Sequence, residues 1–241
     1  WDGWDISSDT GLEMYDISGW SHTYLWGVSR KIMPERIDIH TYPISRADPP
    51  TGFVEGKARA YAYLPTCNEA TRATNELLSQ GVLVYRATEP FTDSGRSFLT
   101  GTFIIPGSAP GVKAVANRLS SQYGLDVYAL QALPSHATLM RKQRIAVLAD
   151  EGVRFFLSQY GFSFDVITTV DLNAGRSLAG YDVFVHYGWS YLWSALNSVG
   201  RATLSAFFAA GGDYVGIGRS GAHLSNNIGL LIVSYSTGSS R

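Results

Sequence analysis

The spacing of apolar positions changes near residue 50: up to about 48 it is irregular and rich in aromatics, and from Gly56 onward it is regular. In the first stretch, "SGWSHTYLWGVS" (18–29) predicts one short helix. Ser18 serves as N-cap, with Trp20, Tyr24, Leu25 and Val28 on one face, suited to docking on a neighbouring domain. "KARAYAYL" (57–64) then alternates as a strand does. "TCNE" spells a capping box, Thr66 as N-cap and Glu69 three residues later. The helix that follows puts Ala70, Ala73, Leu77 and Leu78 on one face and stops at Gly81. "VLVYRA" (82–87) and "SFLTGTFIIP" (97–106) read as strands around the turn-rich "TEPFTDSG" (88–95). A helix at 111–124 and a strand at 125–130 complete the order β-α-β-β-α-β, that of a ferredoxin-like split βαβ unit.

"PSHATLMRKQR" (134–144) reads as a connection and sets a domain boundary near residue 140. Beyond it, "RIAVLA", "FDVITT" and "YDVFVHYG" are apolar strands without alternation, and "DEGVRFFLSQYGF" and "GRATLSAFFAAGG" are helices between them. Such runs predict a parallel sheet covered on both faces, flavodoxin-like or similar to the class I glutamine amidotransferase fold. The expected organisation is a packing segment at 1–48, a βαββαβ ferredoxin-like domain at 49–140 and an amidotransferase-like α/β domain at 141–241. "GLLIVSYSTGSSR" stops just after an apolar run that reads as a strand, and the first residue is Trp1. Both ends suggest a fragment, truncated at its C-terminus.

Charge narrows the partners. The 19 Lys and Arg nearly balance the 20 Asp and Glu, and no run of like charge occurs, so neither nucleic acid nor an anionic membrane surface is indicated. Charged residues are 16% of the chain against roughly 25% in a typical domain, which fits an extracellular bacterial protein. One cysteine, Cys67, excludes an intrachain disulfide and a multi-cysteine metal site. No apolar stretch approaches the ~18 residues of a membrane span.

The candidate chemistry lies where the strand Tyr214-Val215-Gly216-Ile217 runs into "GIGRSG" (216–221), at the carboxyl end of the sheet where ligands of such folds sit. The spelling G-x-G-x-x-G matches a dinucleotide fingerprint, but no Asp or Glu follows Asp213 to hold a ribose. Read as G-x-S-x-[GA], the turn makes Ser220 a nucleophile. His223 then follows it on the same turn and no acid follows at all, so the usual chain order of a hydrolase triad is missing. Aligned on the G-x-C-x-G elbow of an amidotransferase, the turn puts Gly218 in the nucleophile's place, without a side chain. In the remaining reading the glycines serve a tight turn, and backbone amides over Gly216, Gly218, Arg219, Ser220 and Gly221 stay free to hold a carboxylate, sulfate or phosphate.

Other residues support less. The histidines His22, His40, His136, His186 and His223 lack zinc-hydrolase spacings, so no metal and no cofactor is expected. Asp150 and Glu151 follow the first strand of the second half and read as first-turn acids of a helix; they are cleft carboxylates in the alternative. "HYGWSYLW" (186–193), beginning with His186, ends another strand, and its aromatics line either a pocket or an interdomain contact. An enzyme built on Ser220 needs a base within roughly 3 Å of it, drawn from His186, His223, Asp150 or Glu151.

"YDISGWSHTYLWGV", "NELLSQGVLVYRA", "GTFIIP", "DEGVRFFLSQYGF" and "GGDYVGIGRSGAHLSNNIGLL" together resemble the region downstream of the catalytic domain in large bacterial M14-type zinc carboxypeptidase-like proteins, whose last part is similar to a class I amidotransferase domain. The family's His-x-x-Glu zinc motif has no counterpart here. The resemblance implies a non-catalytic accessory region of an exported protein acting on peptides or cell-wall material, with the parent's other domains as partners. An active hydrolase or amidotransferase-like enzyme using Ser220 is the alternative expectation.

Overall fold

Alternation along β1 (Ala60–Tyr63) places Tyr61 and Tyr63 on one face of a sheet and Ala60 and Ala62 on the other, and all four are buried because both faces are covered. The structure is a computed structural model of the 241-residue chain and describes residues 40, 42, 43, 45, 50–188 and 191–230. Two compact units divide the chain, Trp1–Asp48 and Pro49–Arg241, and every element below belongs to the second. The helix expected at 18–29 and the apolar run expected as a strand past Leu230 lie outside the described residues.

After β1 come α1 (Asn68–Ser79), β2 (Tyr85–Ala87), β3 (Phe91–Asp93), β4 (Arg96–Phe98), β5 (Phe103–Pro106), α2 (Val112–Tyr123), β6 (Tyr128–Leu130) and β7 (Ala137–Leu139). Five of the strands form an antiparallel sheet in the order β6-β1-β5-β2-β7. Ala70, Ala73 and Leu77 of α1, with Ala116 and Leu119 of α2, close on Tyr61, Tyr63, Phe103 and Ile105. The small alanines let the helix backbones come close, and the Tyr63 hydroxyl is satisfied by Thr74 Oγ1 at 2.7 Å. The β3-β4 hairpin covers the opposite face, stacking Phe91 on Phe98 over Ala62, Ile104 and Leu130.

Three local expectations change here. Helix α1 begins one residue later than its capping box requires: Cys67 is the N-cap and offers no side-chain hydrogen bond, so Thr66 and Glu69 do not close the box. The "SFLTGTFIIP" run is broken between Phe98 and Phe103, where the Thr102 amide turns back to the Leu99 carbonyl at 3.2 Å. The supposed connection at 134–144 contains β7, which pairs with β2 from Ala137 opposite Ala87 to Leu139 opposite Tyr85.

The second half comprises β8 (Ile145–Leu148), α3 (Glu151–Gln159), β9 (Phe164–Ile167), α4 (Thr169–Asn173), β10 (Val183–Tyr187), α5 (Leu192–Ala195), α6 (Ser198–Ala209), β11 (Asp213–Ile217) and α7 (Gly218–Asn227). Its four strands are all parallel in the order β11-β10-β8-β9. Ile145, Val147 and Val185 meet Leu157 of α3 on one face. Ala146, Ile167 and Phe184 meet Leu172, Leu204, Phe207 and Leu224 of α4, α6 and α7 on the other. Apolar residues are required on both faces of such strands, which is why they lack alternation in sequence. The molecule is thus mixed α/β, with an antiparallel sheet and a parallel four-stranded sheet.

Asp182 at the start of β10 clamps the incoming connection: Arg144 donates to it through its amide and guanidinium and Arg141 through its guanidinium, at 2.8 to 3.1 Å. Hydrogen bonding from Arg144 comes first in holding this carboxyl well below the usual range. The two halves also meet at Tyr160, whose carbonyl accepts from Asn75 at 2.8 Å and whose hydroxyl accepts from Asn68 at 3.0 Å.

Candidate functional site

Strand β11 passes into helix α7 with no intervening loop, Ile217 ending one and Gly218 starting the other. Reversal this sharp needs a left-handed residue, and Gly218 has φ +74°. A Cβ there would have room, its nearest neighbour being Tyr187 Cε2 at 3.9 Å, so the constraint is the backbone alone. Gly221 is different: a Cβ would lie 2.5 Å from the Gly216 carbonyl carbon, so the helix can approach the strand this closely only without a side chain. A Cβ on Gly216 would lie 2.7 Å from the Tyr214 hydroxyl. Each glycine of the G-x-G-x-x-G spelling thus has its own cause, close packing at Gly216 and Gly221 and a left-handed backbone at Gly218. Ile217, as N-cap, supplies no side-chain acceptor to the first turn of α7.

Ser220 points inward and is fully buried. Its hydroxyl lies 3.3 Å from Nε2 of His186, and Nδ1 of His186 lies 3.1 Å from the Tyr214 hydroxyl. The register explains the meeting: His186 on β10 stands opposite Gly216 on β11, and the missing side chain leaves space for the Tyr214 ring to reach across. Burial pushes the His186 pKa down to about 4, against a smaller upward pull from Asp150. Burial also raises the Tyr214 phenol, so the group behind the imidazole is neutral. A Ser-His pair backed by a phenol has the connectivity of a nucleophile relay without the carboxylate that stabilises an imidazolium. His186 and Ser220, at 1% and 0% exposure, present no reacting atom to solvent.

Around the turn, Tyr191 stacks on His223 at 4.1 Å between ring centres, and the Arg219 guanidinium lies 5.2 Å from the Tyr191 ring centre. His223 also contacts the side-chain amide of Asn227. Asp150 is the N-cap of α3, accepting from the Val153 amide at 2.8 Å, and Glu151 sits in the first turn. Of the remaining histidines, His40 is exposed, His136 lies 3.7 Å from Glu89, and His22 lies outside the described residues. No group of three His, Cys, Asp or Glu able to hold a metal occurs among the described residues. No described helix is long and apolar enough to cross a membrane.

The structure therefore brings Ser220 and His186 together, residues 34 positions apart, one in the first turn of α7 and the other near the end of β10. Tyr214, the third member, carries no signal in the sequence beyond being a strand aromatic; its role follows from register alone. Clefts also open elsewhere in the molecule. One of about 650 Å3 opens between the two halves and another of about 510 Å3 lies at the amino ends of β10 and β11, and neither includes Gly218, Ser220 or His186. No protein-family profile matches the chain, and comparison with curated proteins and with solved structures finds no significant match.

Proposed function

We propose that this chain is a non-catalytic accessory region, serving recognition, of an exported zinc carboxypeptidase-like protein, and that its elbow is a degenerate one. One observation carries the non-catalytic part. In the amidotransferase register the attacking position is Gly218, whose φ of +74° suits a nucleophile elbow and which has no side chain, while the neighbouring Ser220 is sealed inside. The parent and its export rest on the sequence resemblance. We read the antiparallel sheet as ferredoxin-like, supported by its strand order β6-β1-β5-β2, in which the fourth strand of the βαββαβ unit lies beside the first. We read the parallel sheet as flavodoxin-like or amidotransferase-like, supported by the reversal of strand order between β8 and β10.

A second reading, a hydrolase using Ser220, draws support from the 3.3 Å contact to His186, within reach of a general base. Against it stand the burial of both groups and a base held near pKa 4, too weak to take a hydroxyl proton efficiently. The deciding experiment assays the chain for esterase, peptidase and glutaminase turnover and for labelling by a fluorophosphonate. The accessory reading expects neither. Turnover or labelling abolished by Ser220→Ala would establish the enzyme instead.

A further inference from the structure

We propose that the cleft between the two halves takes an extended acidic peptide, which adds as a strand to the open edge of β7. Among the described residues, β7 is the last strand of its sheet and pairs with β2 alone. The Thr88 amide donates to the His136 carbonyl at 2.9 Å and the Met140 amide to the Val84 carbonyl at 2.8 Å, so residues 136, 138 and 140 turn their polar backbone toward β2. By the alternation of a strand, the amides and carbonyls of Ala137 and Leu139 point outward. Neither residue makes a backbone hydrogen bond with any described residue outside the sheet. Two outward donor-acceptor pairs one residue apart are what an incoming strand needs.

The ground beside this edge is positively charged. Arg86, Arg141 and Lys142 line the cleft of about 650 Å3, and no Asp or Glu does. Arg141 is shared with Asp182 at 3.1 Å, whereas Arg86 and Lys142 make no ion pair with any described residue. Arg86 stands opposite Thr138 in the ladder, so its side chain leaves the sheet on the face that Thr138 and Met140 share, and its guanidinium comes near Gly101. Leu139, 48% exposed, stands on the other face. An added strand with alternating acidic and apolar residues meets both: its carboxylates face Arg86 and Lys142, and its apolar set lies beside Leu139. The groove would supply the recognition that an accessory region needs, but it stands on residues remote in sequence from the elbow.

The test uses the whole 241-residue chain and a fluorescein-labelled octapeptide of alternating Glu and Val, read by fluorescence anisotropy. Saturable binding is expected, weakened at least about tenfold in the double variant Arg86→Gln, Lys142→Gln. Both residues are exposed, and near-UV circular dichroism checks that the variant is folded. A Lys-Val octapeptide and a backbone N-methylated Glu-Val octapeptide are expected not to bind, the second because it lacks the amides an added strand must donate. Absence of saturable binding overturns the proposal and leaves the cations as guards against edge-to-edge aggregation. Equal binding by the N-methylated peptide, displacement by excess succinate, or indifference to the double variant also overturns it, because a small-anion site or nonspecific adsorption would then explain the signal. Hydrolase turnover through Ser220 would overturn the accessory reading and leave this outcome untouched.

Discussion

His186 makes the stability of the second half depend on pH just below neutrality. Its pKa falls from the ordinary 6.5 to about 4 because it is buried, so the unfolded chain binds a proton that the folded chain refuses. Stability is therefore fully present above pH 6.5 and declines as the pH falls toward 4. Urea unfolding is expected to show about 2 kcal/mol less stability at pH 5 than at pH 7 from this group, and His186→Gln is expected to flatten that difference. An unchanged slope in the variant would mean that the imidazole keeps its charge when folded. The glycines of the turn separate by mechanism. Gly218→Ala meets open space but a left-handed backbone, costing about 1 kcal/mol. Gly221→Ala drives a methyl into the Gly216 backbone and is expected to cost roughly 3 kcal/mol, so a melting comparison should rank it well below Gly218→Ala. The glycine spacing was legible in the sequence. Its causes were not, because a left-handed turn, a ring and a neighbouring backbone produce the same letter.

Helix and strand identity followed from periodicity where an element buries a stripe or two full faces, as α1, α2 and β8 do. Short elements held by one partner escaped it. β7 has three residues and owes its existence to pairing with β2, while α4 has five and owes much to its cap. That cap is a working capping box: Thr168 Oγ1 accepts from the Asp171 amide at 3.1 Å, and Asp171 accepts from the Thr168 amide at 2.8 Å. The box read at Thr66 and Glu69 fails although its spelling is sound, because α1 starts after Cys67. Thr168→Ala is expected to lose about 1 kcal/mol in chemical denaturation, and Thr66→Ala to leave the midpoint unchanged. Equal losses would return the cap of α1 to Thr66.

Across the whole of 49–241, the two sheets behave as parts of one compact unit, joined at Tyr160 by Asn68 and Asn75 and at the connection by the Asp182 clamp. Wild-type unfolding is expected to follow one transition by both fluorescence and near-UV circular dichroism. The double variant Asn68→Ala, Asn75→Ala removes about 1–2 kcal/mol of the tie and should separate the two probes. Coincident curves in that variant would place the coupling elsewhere. The sequence by itself determined the order of the longer elements, the change from an alternating to a continuously apolar sheet, and the place of the glycine turn, since these depend on neighbours within one turn or strand. Tertiary structure alone decided that Ser220 meets His186 and Tyr214 inside the molecule and that β7 ends a sheet beside Arg86 and Lys142. Each depends on strand register between residues far apart in the chain, which local patterning does not encode.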